Sequence, residues 1–135
     1  MSDPAANKKI IAVINSVLSG QSSVATLDEV MAGDFKDHAA FPGQRPGRDG
    51  FKDAVANLRA AFDQAVRSLH TVAEGELVID HWISEGTHCG AFFGIEPTGK
   101  NVRIEGFSVW RITGGQAVEA WGLVDIAGVM RQLKA

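Results

Sequence analysis

The second half of the sequence contains four strand-like segments, and their short connections restrict the fold more than any other feature of the chain. The segments are rich in β-branched and aromatic residues and comprise residues 68–74, 77–87, 102–112 and 117–124. The turn Glu74-Gly75-Glu76 joins the first pair, and Thr113-Gly114-Gly115 joins the last pair. Because strands joined by tight turns pair antiparallel, this half of the chain predicts an antiparallel sheet.

The first half begins with helical periodicity. Apolar residues recur at three- and four-residue spacing from residue 8 to residue 18, which predicts an amphipathic helix there. Thr26 and Glu29 have the spacing of a capping box, so a short second helix is predicted over residues 27–31.

A loop and two more helices complete the predicted chain. Residues 34–50 contain two prolines and three glycines and are predicted to be a long loop that packs down onto the domain. Helical spacing of apolar residues returns over residues 51–66, and residues 126–133 are predicted to close the chain as a short helix. Helices followed by an antiparallel sheet indicate one α+β domain over residues 1–135, with its helices on one sheet face.

Composition excludes several classes of function. The chain has 135 residues, of which 45% are hydrophobic and 21% charged, with a net charge of -3. No apolar run approaches the roughly 18 residues of a membrane span, and no basic stripe favours nucleic acid. A single cysteine, Cys89, excludes an internal disulfide and a cysteine-based zinc site. The first residues lack the order of a secretory signal, so a cytoplasmic location is expected.

The strand from Leu77 carries apolar residues on both faces. Val78 and Trp82 alternate with Ile79 and Ile83, and the strand over 102–112 behaves in the same way. A sheet wetted on one face would alternate apolar with polar residues, so the second face is expected to meet a partner subunit.

Several motifs together resemble a known family. The run GTHCGAFFGIEPTGKNV, the run FSVWRITGGQAVEAWGLVD and the ending RQLKA are similar to the motifs of SnoaL-like polyketide cyclases of the NTF2-like superfamily. DFKDHAAFPG, GFKDAVANLRAAF and VAEGELV agree with earlier motifs of that family, in the same order. The resemblance implies an NTF2-like cone, in which three N-terminal helices pack into a curved antiparallel sheet around a deep apolar pocket. It also implies a homodimer that forms through the outer sheet face.

The resemblance implies an aldol ring closure that uses neither a metal nor an organic cofactor, on a small apolar or aromatic substrate. It places the proton-abstracting carboxylate at Asp125, where an apolar cavity would raise the pKa of the carboxyl group. The alternative is that Asp125 caps the final helix, since Asp is a favourable N-cap residue.

Two further residues are candidates for the chemistry. Asp80 stands where the family pattern prefers an apolar residue, so it is either a second acid of the pocket or the partner of an arginine such as Arg103 or Arg67. His88 of the GTH motif either makes a structural hydrogen bond or assists catalysis.

Aromatic and polar residues near these motifs are the expected substrate contacts: His38, Phe41, Phe62, Trp82, Phe92, Glu105, Trp110 and Trp121. Two departures from the family pattern remove polar groups, because Ala120 replaces a histidine and Trp110 replaces a polar helper. Three hypotheses therefore remain open: an acid/base enzyme on a carbonyl compound, a hydrolase or isomerase with two carboxylates in one cavity, and a non-catalytic binding or dimerisation module.

Overall fold

The computed structural model describes residues 2–135 and contains four α-helices and five strands. In chain order these are α1 (Pro4–Leu18), α2 (Leu27–Val30), β1 (Met31–Asp37), α3 (Gly47–Ala61), β2 (Phe62–Glu74), β3 (Leu77–His88), β4 (Asn101–Thr113), β5 (Gln116–Val124) and α4 (Ile126–Lys134). A single 3-10 turn, Val24–Thr26, precedes α2. No helix within residues 2–135 is long and apolar enough to cross a membrane.

One sheet contains all five strands in the order β1-β5-β4-β3-β2. The four strands from β2 to β5 pair antiparallel, as the sequence predicts, and β1 adds to β5 in parallel. The observed limits of β3, β4, β5 and α4 lie within one residue of the predicted ones. The α+β fold class with a curved sheet is therefore confirmed.

Strand β1 was not predicted from the sequence. Residues 34–37 belong to this strand and not to the predicted loop, and Met31 begins it where the pattern predicted the end of a helix. Only Met31 and Phe35 of β1 are buried, so the strand lacks the period of two that marks a half-buried strand. It forms because the edge of β5 is available for pairing, with an irregular register between Met31 and Lys36.

The boundary between α3 and β2 also differs from the prediction. Helix α3 covers Gly47–Ala61, four residues earlier than predicted, and residues 62–66 are extended. Phe62 is the register partner of His88, so pairing with the far end of β3 overrides the helical spacing of this segment. Close packing fixes the start of the helix, since a Cβ atom on Gly50 would lie 1.6 Å from the carbonyl oxygen of Arg45.

Two apolar clusters lie on the inner face of the sheet. The larger cluster packs α1 and α2 on the sheet and contains Ile11, Ile14, Val17, Leu27, Val30, Met31, Phe35, Val55, Val78, Trp110, Ile112, Ala117 and Ala120. The smaller cluster packs α4 against the start of β4 and contains Ala61, Phe62, Val102, Ile104, Val129 and Leu133. Residues of both clusters line the cavity described below.

Helix α4 replaces a missing strand at the beginning of β4. The pairing of β4 with β5 ends at Gly106, so residues 101–105 have no strand partner on that side. The Gln132 side-chain amide accepts the Arg103 backbone N–H at 2.8 Å and donates to its carbonyl oxygen at 2.7 Å. Because these two bonds imitate a strand pairing, they hold α4 across the end of the sheet.

Candidate functional site

A cavity of about 420 Å³ lies between α1, α3 and the inner face of the sheet. Its wall is mainly apolar and includes Phe51, Val55, Leu58, Ile104, Trp110 and Val129. The polar side chains in the wall are Asn15, Asp37, Gln44, Gln64, Asp80, Ser84 and Ser108. This volume and this mixture of many apolar groups with a few polar ones are typical of small-molecule sites.

Asp80 is the most deeply buried carboxylate of the wall, with 1% of its surface exposed. Its inward direction follows from the alternation of β3, in which Val78 and Ser84 share its face. Asn15 donates its amide N–H to Asp80 Oδ2 at 3.3 Å, and the Thr71 hydroxyl donates to Oδ1 at 3.0 Å.

The expected arginine partner of Asp80 is not present. Arg67 pairs with Glu85 at 3.5 Å, and within residues 2–135 no ion pair involves Asp80 or Arg103. A carboxylate accepts about four hydrogen bonds, and two neutral donors leave part of this capacity free. The Asp80 side chain therefore offers acceptor capacity to a molecule in the cavity.

Ser108 stands beside Asp80 on the neighbouring strand, since the two residues are register partners of β3 and β4. The Trp82 indole N–H donates to Ser108 Oγ at 3.1 Å. A serine hydroxyl that accepts one hydrogen bond still has its own proton to donate. A hydrogen-bond acceptor, Asp80, and a hydrogen-bond donor, Ser108, thus lie side by side on the cavity wall.

Asp37 is a second carboxylate of the wall, and no pattern in the sequence predicted it. The Ala39 backbone N–H donates to its Oδ1 at 2.9 Å, and the Gln44 amide donates to its Oδ2 at 2.9 Å. The only available signal was the motif DFKDHAAFPG, in which Asp37 directly precedes the candidate His38.

Asp125 does not line the cavity, which corrects the expectation that it is the buried base. It is exposed, and its Oδ1 accepts the Gly128 backbone N–H at 2.9 Å as the N-cap of α4. The chain leaves β5 at Val124, and the Asp125 backbone N–H donates to Glu105. The side chain therefore points to the helix that follows, as the capping alternative predicted.

His88 is fully buried but lies outside the cavity wall. Its Nδ1 accepts the Thr98 backbone N–H at 3.2 Å and lies 3.0 Å from the Thr98 hydroxyl, while its ring packs on Phe62. These contacts fix the base of the connection between β3 and β4.

Five of the eight expected substrate contacts line the cavity, namely Phe41, Trp82, Phe92, Trp110 and Trp121. Phe62 does not, because it is a buried residue of the smaller core cluster. Glu105 does not either, because it is exposed and its Oε2 lies 2.7 Å from His81 Nε2. By alternation, both Glu105 and His81 belong to the outer face of the sheet.

His38 is also outside the cavity wall. Its ring stacks on Trp121 with centroids 4.9 Å apart, and its Nε2 lies 2.6 Å from Glu119 Oε2. The hydrogen bond from His38, assisted by one from Arg111, lowers the pKa of the Glu119 carboxyl below its ordinary value of 4.5. His38 thus belongs to an exposed polar cluster with Glu119 and Arg111.

Across the described range 2–135, no three His, Cys, Asp or Glu side chains are grouped so that they could hold a metal ion.

Solved structures with the same fold come from several bacteria. TsrD from Streptomyces laurentii is 19% identical with a TM-score of 0.89, covering 98% of this chain and 98% of that one. A candidate polyketide cyclase from Acidithiobacillus ferrooxidans is 27% identical with a TM-score of 0.84, covering 99% and 98% of the two chains. IdmH, a candidate polyketide cyclase from Streptomyces antibioticus, is 25% identical with a TM-score of 0.83, covering 96% and 99%.

A comparison with curated proteins gives no match. The sequence model of the SnoaL-like polyketide cyclases matches residues 10–133, which is most of the chain. With an NTF2-like cone and a cavity on the concave side of its sheet, this chain belongs to the SnoaL-like polyketide cyclase family.

Proposed function

We propose that the protein is a cofactor-independent acid/base enzyme that acts on a small, largely apolar carbonyl compound, with Asp80 as the proton-abstracting base. The observation that carries this proposal is the Asp80 carboxylate itself, which is 1% exposed, lines an apolar cavity and has only neutral hydrogen-bond donors. Burial of a carboxylate without a cation costs several kcal/mol, so stability alone does not account for an acid at this position.

The mechanism is an aldol-type ring closure or a related proton transfer. Asp80 removes a proton from the carbon next to a carbonyl group, and the electron pair moves into the carbonyl to form an enolate. The Ser108 hydroxyl donates a hydrogen bond to the enolate oxygen, on which charge develops. The enolate carbon attacks a second carbonyl of the same molecule, and the new alkoxide takes the proton back from Asp80. Proton and charge both balance, so no further reactant is needed.

A second candidate function is supported by Asp37. An epoxide hydrolase or a double-bond isomerase of this fold needs two carboxyl groups in one cavity, and both Asp37 and Asp80 line this one. In such an enzyme one carboxyl group is the acid and the other activates water or removes a proton. The two functions differ in whether Asp37 is essential.

The test uses 5-nitrobenzisoxazole, a flat aromatic compound from which a base removes one C–H proton while the N–O bond breaks to give a coloured nitrophenolate. It reports proton abstraction by a desolvated carboxylate and needs no knowledge of the natural substrate. We expect saturable turnover by the wild-type protein and a loss of about 10²–10⁴-fold in Asp80→Asn, the usual contribution of a general base.

Two matched variants complete this test. Asp125→Asn removes an exposed carboxylate and is expected to retain the wild-type rate, because Asn is also a favourable N-cap residue. Asp37→Asn is expected to retain the proton abstraction, and a loss of turnover in Asp37→Asn with retention in Asp80→Asn would assign the base to Asp37. A wild-type protein that binds the probe without turning it over would favour a non-catalytic binding module and contradict the proposal.

The proposed enzyme is a homodimer that forms through the outer face of the sheet. Two rows of register partners cross this face, Val72-Ile79-Val109 and His70-His81-Phe107-Leu123. Val72, Ile79, Phe107 and Leu123 are 61%, 46%, 53% and 80% exposed, and their burial against a second copy would remove apolar surface from water.

Ile79→Glu is expected to convert the dimer into a monomer, because it places a carboxylate in the centre of the proposed interface. Light scattering coupled to size-exclusion chromatography measures the mass directly. Lys8→Glu on the exposed side of α1 is the control and should leave the mass unchanged. A monomeric wild-type protein would contradict this part of the proposal.

A further inference from the structure

The connection between β3 and β4 contains a small hairpin with an unusual turn. The Phe92 N–H donates to the Ile95 carbonyl at 3.0 Å, and the Ile95 N–H donates to the Phe92 carbonyl at 2.9 Å. The two residues between them, Phe93 and Gly94, have φ angles of 46° and 76°. Two-residue turns with positive φ at both positions are normally occupied by Asn, Asp or Gly.

Phe93 is the only non-glycine residue within 2–135 with a positive φ. A phenylalanine in this left-handed region is strained, because its Cβ atom crowds the backbone. Such strain persists where the surrounding structure imposes it, and it often marks a functional position.

The base of the connection between β3 and β4 is attached to the end of α3, and this attachment keeps the strained turn in its conformation. The backbone N–H groups of Cys89 and Gly90 both donate to the Ala61 carbonyl, at 2.8 and 3.1 Å. A Cβ atom on Gly90 would lie 2.3 Å from the carbonyl oxygen of Ala60, so the chain passes directly over the end of α3. The hairpin therefore projects from a fixed base and carries Phe93 at its tip.

Phe93 lies where two concave regions meet. It lines the 420 Å³ cavity, and it also lines a second depression of about 720 Å³ between α3 and the segment 41–45. Its ring lies 4.5 Å from the ring of Phe92 and 6.0 Å from that of Phe41, which comes from the opposite rim. Phe93 is nevertheless 51% exposed, so full burial of its ring does not offset the backbone strain.

The opposite rim is also held in place. The Phe41 backbone N–H donates to Gln44 Oε1 at 3.1 Å, and the Gln44 amide donates to Asp37 at 2.9 Å. Phe41 is thus fixed through the wall of the cavity itself.

We propose that Phe93 is a ligand-retaining residue at the mouth of the cavity. Its ring and that of Phe41 cover an apolar or aromatic ligand after the ligand has passed through the second depression. The strained turn places an aromatic ring over the mouth, where the residues usual in this turn would leave it open. This inference rests on the cavity as a ligand site and is independent of proton transfer at Asp80.

The test measures how quickly a neutral apolar probe leaves the cavity. N-phenyl-1-naphthylamine fluoresces in apolar sites, and its displacement in a stopped-flow instrument gives the dissociation rate without any turnover. In Phe93→Asn we expect dissociation about tenfold faster, because the contacts of one aromatic ring are lost and affinity changes act mainly on dissociation. The melting temperature should stay equal to the wild-type value or exceed it, because Asn tolerates the left-handed conformation.

Two variants separate this role from a general effect. Leu77→Asn makes an apolar-to-Asn change at a residue that is 37% exposed at the start of β3 and lines neither concave region, and it should leave the dissociation rate unchanged. Phe93→Leu retains apolar bulk at the mouth and should dissociate at a rate between those of the wild type and Phe93→Asn.

Three results would overturn the proposal. The first is unchanged probe dissociation in Phe93→Asn. The second is a clear drop in the melting temperature of that variant, which would make Phe93 a structural residue. The third is a wild-type protein that does not bind the probe in a saturable way. None of these depends on the rates of the Asp80 variants, so failure of this inference is distinguishable from failure of the proposed function.

Discussion

The substitution Gly106→Ala tests the packing that shapes the cavity wall. Gly106 in β4 is the register partner of Trp82 in β3, and the Trp82 indole lies over it. A Cβ atom at residue 106 would lie 2.4 Å from Trp82 Cζ2, 2.7 Å from Cε2 and 2.8 Å from the Leu123 carbonyl oxygen. Real side chains do not approach so closely, so the indole must move.

The size of the effect follows from three contributions. Overpacking of a filled interior costs about 1–3 kcal/mol. The displaced indole loses its hydrogen bond to Ser108, worth about 1 kcal/mol. Replacement of glycine by alanine in an extended strand stabilises the folded protein by about 0.5–1 kcal/mol through backbone entropy. We therefore expect a loss of about 1–3 kcal/mol in the free energy of unfolding.

Urea unfolding, followed by tryptophan fluorescence, measures both the stability and the site. All three tryptophans of the chain line the cavity, so a displaced Trp82 should also change the emission of the folded protein. Gly122→Ala is the matched control on the neighbouring strand, because its Cβ atom would meet its nearest neighbours at 3.5 Å, an ordinary contact. If Gly106→Ala is as stable as the wild type and emits the same spectrum, a Cβ atom at residue 106 does not displace the Trp82 indole.

Two further predictions concern surface groups. Asp125→Ala should lower the free energy of unfolding by about 1 kcal/mol through loss of the α4 cap, whereas Asp125→Asn should keep the wild-type stability. Chemical denaturation of both variants measures the difference, and equal stabilities would contradict the capping role. Glu119 has a lowered pKa in the folded protein, so its contribution to stability is complete above its ordinary value of 4.5 and is lost as the pH falls through the lowered value. Melting temperatures measured on the acid side should therefore fall more steeply for the wild type than for Glu119→Gln, and parallel curves would count against the His38 interaction.

The parts of the fold that were predictable are those specified by neighbours in sequence. Strands β3 and β5 show β-rich composition and begin directly after glycine turns, which is local information. Strand β1 has only two buried residues and depends on a partner more than 80 residues away, which no local pattern encodes. The start of β2 was assigned to a helix because its apolar spacing fits both structures and only the pairing with β3 decides.

The residues of the candidate site also divide into those that the local sequence specifies and those whose position depends on distant strand pairing. Asp80 could be predicted as a site residue because an acid among buried apolar residues must be paired, be protonated or have a function. Asp37 could not be found, because its inward position depends on β1, which was itself missed. The family motif implies a buried base at Asp125, but the local start of α4 turns its side chain to the Gly128 backbone N–H. A motif therefore identified the family correctly but did not determine the direction of this one side chain.

The proposed mechanism requires the cavity to present Asp80 to the carbon next to the carbonyl group of an apolar ligand. A crystal structure with the bicyclic ketone 2-tetralone tests this most directly. We expect the ketone to occupy the cavity with a methylene carbon next to its carbonyl group within about 3.5 Å of an Asp80 carboxylate oxygen. Its carbonyl oxygen should lie in hydrogen-bond reach of Ser108. A cavity that stays empty at saturating ketone, or a ketone bound with those carbons turned away from Asp80, would contradict it.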